Sequence, residues 1–154
     1  METTIGELLR MNGRRVYSVS PEATLSEALR AMAEHKIGAV LVLGEGGSLA
    51  GVFSERDYAR GSVEQPNLSK DQPVRELMTR ELVTVRSDNT VQECMEFVTR
   101  LRIRHLPVVD DGKLAGLVSI GDLVKAAMAE KEALLAEKED LINRLEGYIS
   151  GALS

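Results

Sequence analysis

A chain of 154 residues, 44% hydrophobic and 28% charged, has the make-up of a globular protein that can bury one core or two small halves sharing a core. Its formal charge of −5, with no tryptophan, two phenylalanines and three tyrosines, speaks against a nucleic-acid binder, which needs a basic face and usually stacking aromatics. One cysteine, Cys94, excludes an internal disulfide; with no leader-like start at Met1-Glu2-Thr3-Thr4 and no apolar run near ~20 residues, the expectation is a cytoplasmic protein.

In chain order, a short amphipathic lead-in (Ile5-Gly6-Glu7-Leu8-Leu9) precedes a brief strand, Val16-Tyr17-Ser18-Val19. Arg14-Arg15 between them reads as a surface turn. Thr24-Leu25-Ser26-Glu27 is a capping box, and Leu25, Ala28, Leu29 and Met32 follow at i, i+3, i+4, i+7, predicting an amphipathic helix. His35 stands alone at the end of that helix and suggests no role. The run Ala39-Val40-Leu41-Val42-Leu43 predicts a buried strand, Gly44 to Gly47 a turn, and the next strand ends in Gly51-Val52-Phe53-Ser54, with Asp57 three positions on. A second helix follows.

The whole order is then repeated. Thr90-Val91-Gln92-Glu93 lies 66 positions after Thr24, and Ile103, Val108 and Gly112 answer Ile37, Val42 and Gly46 at the same offset. One extra residue in the first copy, Gly47, shifts the offset to 65, so that Gly116, Ser119 and Asp122 answer Gly51, Ser54 and Asp57. The second copy has its own lead-in (Val74 to Met78), strand (Leu82-Val83-Thr84-Val85), helix face (Val91, Cys94, Met95, Val98), buried strand (Leu106 to Val109) and turn (Asp110-Asp111-Gly112). Cys94 aligns with Ala28 and reads as a core residue. The predicted fold is mixed α/β (α+β): two β-α-β-β-α repeats over 3–65 and 74–127 with a polar linker over 66–73, followed by a long C-terminal helix over 123–149. On that helix Ala127, Leu134, Leu141 and Tyr148, and beside them Met128, Leu135, Ile142 and Ile149, recur every seven residues. Gly147 and Gly151 mark its fraying end. Such a stripe predicts packing against a second copy of the chain.

In each copy the Ser-x-x-Asp spacing is one helical turn at the end of a strand, where backbone N–H groups and the positive end of a helix converge. Two readings fit. Ser54/Asp57 and Ser119/Asp122 are either plain helix caps or a place to hold a sugar hydroxyl or phosphate, and both roles can coexist. Arg104 and His105 sit at the start of a strand, where alternation between solvent and core is the plain alternative to a phosphate contact. Arg56 and Arg60 are either phosphate contacts or solvated helix positions.

With both strand–Ser-x-x-Asp–helix units in view, the chain resembles the cystathionine-beta-synthase (CBS) domain family, in which two tandem repeats related by a pseudo-two-fold axis form a Bateman module. Ile103-Arg104-His105-Leu106-Pro107-Val108-Val109-Asp110, followed by Gly116 through Asp122, carries the resemblance; the first copy is looser, with no proline at Leu41. Ser54-Glu55-Arg56-Asp57-Tyr58 and Arg144 to Ile149 are similar to a bacterial subgroup of stand-alone two-repeat proteins. The resemblance implies binding of an adenine nucleotide (AMP, ADP, ATP, NAD or S-adenosylmethionine) between paired repeats, regulation of a partner protein and assembly into homodimeric discs. It gives Asp57 and Asp122 to ribose hydroxyls, Ser54 and Ser119 to ribose or phosphate, and Arg56, Arg104 and His105 to phosphate. Adenine would lie against Tyr17, Ser18, Ile37, Gly38 and Ala39 in the first copy, and against Val83, Thr84, Ile103 and Pro107 in the second.

The two clefts are expected to differ. Arg56 aligns with Gly121, and Arg104-His105 with Gly38-Ala39. No metal-ligand spacing, nucleophile elbow or phosphate-binding P-loop appears, so no catalytic residues and no metal or catalytic cofactor are expected. The rival reading is a structural dimerisation or adaptor protein whose clefts stay empty.

Overall fold

The computed structural model describes residues 2–12 and 16–153, the last two of these by their backbone alone. Arg14-Arg15 lies outside the described residues. The elements run α1 (Ile5–Met11), β1 (Ser18–Val19), α2 (Leu25–His35), β2 (Ala39–Leu43), β3 (Leu49–Ser54), α3 (Glu55–Glu64), α4 (Val91–Leu101), β4 (His105–Asp110), β5 (Lys113–Ser119) and α5 (Ile120–Leu153). Short 3₁₀ turns cover Glu45–Gly47 and Val74–Glu76. The two predicted repeats are thus present as α/β units, followed by a 34-residue helix.

Each unit is a small sheet with a helix on one face. In the first, β1 pairs parallel with β2, and β2 antiparallel with β3, bringing Ala39 opposite Ser54 and Val42 opposite Gly51. In the second, β4 pairs antiparallel with β5, with His105 opposite Ser119 and Val108 opposite Gly116. The strand predicted over Leu82–Val85 is reduced to a single parallel bridge, Val85 to Val108. Leu82 packs into the apolar contact between the repeats and Val83 stands 37% exposed, so only Val85 reaches the sheet.

The local signals behind the helices hold. Thr24 accepts the Glu27 N–H at 3.1 Å, the forward half of the predicted box, and Thr90/Glu93 forms the full reciprocal box. α2 and α4 each close on a left-handed residue, Lys36 (φ 54°) and Arg102 (φ 55°). Strand alternation sorts the core: Val40 and Val42 of β2 face the helix-covered core, while Ala39 and Leu41 face the contact with Leu114 and Leu117 of β5. That second, smaller layer joins the repeats.

The lead-ins are exchanged. Ile5, Leu8 and Leu9 of α1 are buried with Val91, Cys94, Val98 and Leu106 of the second repeat. Ile5 N–H donates to Asn89 O at 2.8 Å and Val91 N–H to Thr3 O at 2.9 Å. Reciprocally, Val74, Leu77 and Met78 pack with Leu25, Met32 and Phe53 of the first repeat, and Val74 N–H donates to Ala23 O at 2.7 Å. Repeated glycines accommodate the exchange: a Cβ at Gly116 would lie 2.7 Å from Leu9 Cδ2, and one at Gly51 2.7 Å from Thr79 O. Cys94 is fully buried in the second core, and burial pushes its thiol up to about 11, which suits a packing residue rather than a nucleophile.

α5 departs from expectation at both ends. Ser119 caps it directly from the last strand, so it starts at Ile120 rather than Leu123, and it runs through Gly147 and Gly151 to Leu153. A lone glycine lowers helix preference by about 1 kcal/mol but keeps its backbone hydrogen bond, so it does not end the helix.

Candidate functional site

Both Ser-x-x-Asp units form the same cap. Asp57 N–H donates to Ser54 Oγ at 3.2 Å, while Asp57 Oδ2 accepts from the Ser54 N–H at 2.8 Å and the Ser54 hydroxyl at 3.0 Å. Ser119 and Asp122 repeat this at 3.2, 2.9 and 2.9 Å. The capping reading is therefore realised in both copies. Both carboxylates remain only partly buried at the edge of an open cleft.

Each cleft takes its walls from both repeats. The first, of about 240 Å³, combines Ser54, Arg56 and Asp57 with Val83, Ile103, Arg104 and His105. The second, of about 710 Å³, combines Ser119 and Asp122 with Tyr17, Ile37, Gly38 and Ala39, and again with His105. Ser18, Thr84 and Pro107 lie outside both linings. Ser18 pairs with Leu41 in the first sheet, Thr84 is exposed, and Pro107 is buried opposite Leu117.

This crossing adds up sequence differences that are separate in the chain. Arg56 and Arg60 from α3 meet Arg102 and Arg104 from the loop before β4, against Asp57 and Glu81. Among the described residues the ion pairs are Arg75–Glu22, Arg86–Asp88 and Arg144–Asp140, and none uses these four arginines. The first cleft is thus a cationic notch with free guanidinium groups, the donor type that best matches phosphate oxygens. The second holds Lys36 and Lys125 with Asp122 and two histidines.

Sequence reasoning passed over several lining residues. Lys125 lies one turn beyond Asp122, as Arg60 lies one turn beyond Asp57, and that spacing was the available signal. Arg102 and Lys36 are the matching left-handed helix ends. His35, given no role from sequence, lines the second cleft and stacks on Tyr17 with ring centroids 3.8 Å apart. Nothing local to His35 could have signalled that contact, because Tyr17 lies before β1, 18 positions earlier in the chain.

His105 is the residue common to both clefts, and half-buried. Burial holds its imidazole below the usual histidine range, against the pull of Asp122, Asp57 and Glu55 toward the charged form; Arg104 pushes the same way as burial. Among the described residues no cluster of three or more His, Cys, Asp or Glu side chains could hold a metal, and no helix is long and apolar enough to cross a membrane.

Comparison with known proteins agrees with this architecture. The CBS domain family model matches residues 2–64 and again 74–129. The mitochondrial CBS domain-containing protein CBSX3 of Arabidopsis thaliana is 36% identical over 157 residues, covering 97% of this chain and 73% of that one. The crystal structure of the CBS-domain containing protein ATU1752 from Agrobacterium tumefaciens is 40% identical with a TM-score of 0.78, over 82% of this chain and 95% of that chain. CBSX2, solved in complex with AMP, is 30% identical with a TM-score of 0.69, over 84% and 98%. With the repeat, the fold and the paired Ser-x-x-Asp caps all in place, the chain belongs to the CBS domain family as a tandem pair.

Proposed function

We propose that this CBS pair is a non-catalytic regulatory module that binds an adenine nucleotide between its repeats and passes its state to a partner protein. The observation that carries the reading is the convergence of Arg56, Arg60, Arg102 and Arg104 on the cleft that also holds Ser54 and Asp57. Free guanidinium groups supply the phosphate contacts, the aspartate accepts from ribose hydroxyls, and Val83 and Ile103 offer apolar surface for a purine. The AMP-bound state of CBSX2 supports the ligand class. AMP, ADP, ATP and NAD all carry the required groups, and the arginine count favours the more highly charged among them for the first cleft. S-adenosylmethionine, with no phosphate, would suit the second cleft better.

Linkage supplies the mechanism. A nucleotide that favours one arrangement of the two repeats shifts the population toward it, and α5, which carries Asp122 in its first turn, takes that arrangement outward. The setting we propose is cytoplasmic. The test is calorimetric titration of protein stripped of co-purified nucleotide with AMP, ADP, ATP and NAD, repeated on Asp57→Ala and Asp122→Ala. Micromolar binding lost in one variant supports the reading; silence with every ligand overturns it.

A second reading rests on α5 itself. Leu134, Leu135, Leu141, Ile142, Leu145 and Ile149 are each 49–60% exposed along one stripe. We propose that this stripe forms a homodimer, the helix of one copy against that of another. If the clefts stay empty, dimerisation and adaptor function alone remain.

A further inference from the structure

His105 is where the two clefts touch. It opens β4 opposite Ser119, so one side of its ring looks along the cleft of Ser119 and Asp122. Its other side reaches the cleft of Ser54 and Asp57. A Cβ at Gly38 would lie 3.9 Å from its Nε2, which puts the ring across the junction between β4 and the start of β2. The corresponding position in the first repeat is Ala39, which is buried and carries no polar group. One imidazole therefore serves two clefts, and the pseudo-symmetry provides no second.

The charged groups around it come from every neighbouring element. α3 presents Glu55, Arg56 and Asp57; α5 presents Asp122 and Lys125; the loop before β4 presents Arg104; the end of α2 presents His35 and Lys36. One carboxylate from each cleft already draws the ring toward its charged form, and burial opposes them. An anion bound in either cleft would add to the pull of the carboxylates and act against burial.

We propose, building on the nucleotide reading above, that His105 couples the two clefts: an anionic ligand in either one draws a proton from solvent onto the imidazole, and the imidazolium then strengthens anion binding in the other. The coupling is positive and reciprocal, as linkage requires, and it offsets the direct repulsion between two bound anions. It operates on the acid side of neutrality and fades as the solution turns alkaline and the ring stays neutral.

The test uses AMP as probe on the full chain. The chain has two histidines, so the ring Cε1–H signal of His105 is assigned by comparison with His105→Gln. Saturation with AMP is expected to move the His105 titration midpoint to higher pH. Calorimetry at pH 6.5 and 8.5 should give a second-to-first affinity ratio about fivefold larger at the lower pH. In His105→Gln, which keeps a polar side chain without a titrating ring, that pH dependence should vanish; the ligand's own ionisation is common to both proteins and cancels. A midpoint unmoved by AMP, a single-site isotherm, or an unchanged ratio in His105→Gln overturns the coupling while leaving nucleotide binding in place. No heat with AMP removes the nucleotide reading itself, and the coupling with it.

Discussion

Thr79 donates its hydroxyl to Asp57 Oδ1 at 3.0 Å, so the residue that follows the second repeat's lead-in holds the aspartate of the first. Together with the Ser54 N–H and hydroxyl on Oδ2, three donors occupy a carboxylate with roughly four acceptor positions. The side chain is oriented by these donors, and about one acceptor position is left for the ribose hydroxyl of the proposed nucleotide. Asp57→Asn keeps the shape and an acceptor for the cap while removing the charge. AMP affinity at the first cleft should fall about 10- to 100-fold, as expected for a hydrogen bond to a charged group worth about 1.5–3 kcal/mol. Asp57→Ala should lose the same binding and, in addition, about 0.5–2 kcal/mol of stability from the cap. Titration calorimetry and urea denaturation separate the two effects.

The four arginines of the first cleft make a prediction about selectivity. Arg56→Ala combined with Arg104→Ala should reduce the preference for ATP over AMP by about tenfold or more, because charge-assisted contacts to the outer phosphates are lost while the ribose contact remains. Competition titrations of the two nucleotides give the ratio directly. An unchanged ratio would place the phosphates elsewhere.

Gly51 and Gly116 occupy equivalent positions but face different obstacles. Alanine at Gly51 would drive its Cβ toward the Thr79 carbonyl oxygen, a backbone atom held by a two-way bridge to Val52 at 2.8 and 3.0 Å. Alanine at Gly116 would meet the end of the Leu9 side chain, which can rotate. Both should destabilise by about 1–3 kcal/mol, with Gly51→Ala the more damaging. Urea unfolding midpoints measured side by side test the order.

His105 also predicts a pH dependence of stability. Burial lowers its folded-state value beneath the unfolded one, so between the two the unfolded chain binds more protons than the folded chain. Stability is complete above the ordinary histidine range near 6.5 and is lost progressively as pH falls from there through the folded value. Thermal midpoints of the wild type should therefore drop between pH 7.5 and 5.5 more than those of His105→Gln. Asp110 adds a separate loss at more acid pH. The Ser87 hydroxyl and the Ser87 N–H, the latter at 2.9 Å, hold its carboxyl below the usual range, so its contribution persists until pH falls through that lowered value.

The distal part of α5 is expected to govern assembly rather than folding. Beyond Glu130, which accepts the Thr3 N–H at 2.7 Å, the described side chains of the helix are exposed. Removing 131–154 should leave the thermal midpoint of the repeats nearly unchanged and convert a dimer to a monomer in sedimentation equilibrium. A full-length chain that is already monomeric at tens of micromolar, an on-the-order-of threshold for a stable pair, would assign the stripe to a different partner.

By itself the sequence determined the local architecture. The threonine and serine caps, the apolar run of Ala39 to Leu43 and the i, i+3, i+4, i+7 faces each depend on residues within a few positions of one another and each is part of an element, while the 66-residue echo marks the same order occurring twice. The difference between Arg56 and Gly121, and between Arg104-His105 and Gly38-Ala39, was equally legible. What only the tertiary structure decided is which halves meet. Lead-ins that read as part of their own repeat pack on the opposite one, and the strand ends cross so that each Ser-x-x-Asp faces the other repeat's first strand. That crossing gathers four arginines into one cleft and puts His105 in both. The physical reason is range: caps and periodicity act over one turn or one pleat, whereas the exchange is set by burying Ile5 in one core with Val91, 86 positions away, and Val74 in the other with Leu25, 49 positions away, which no local pattern encodes.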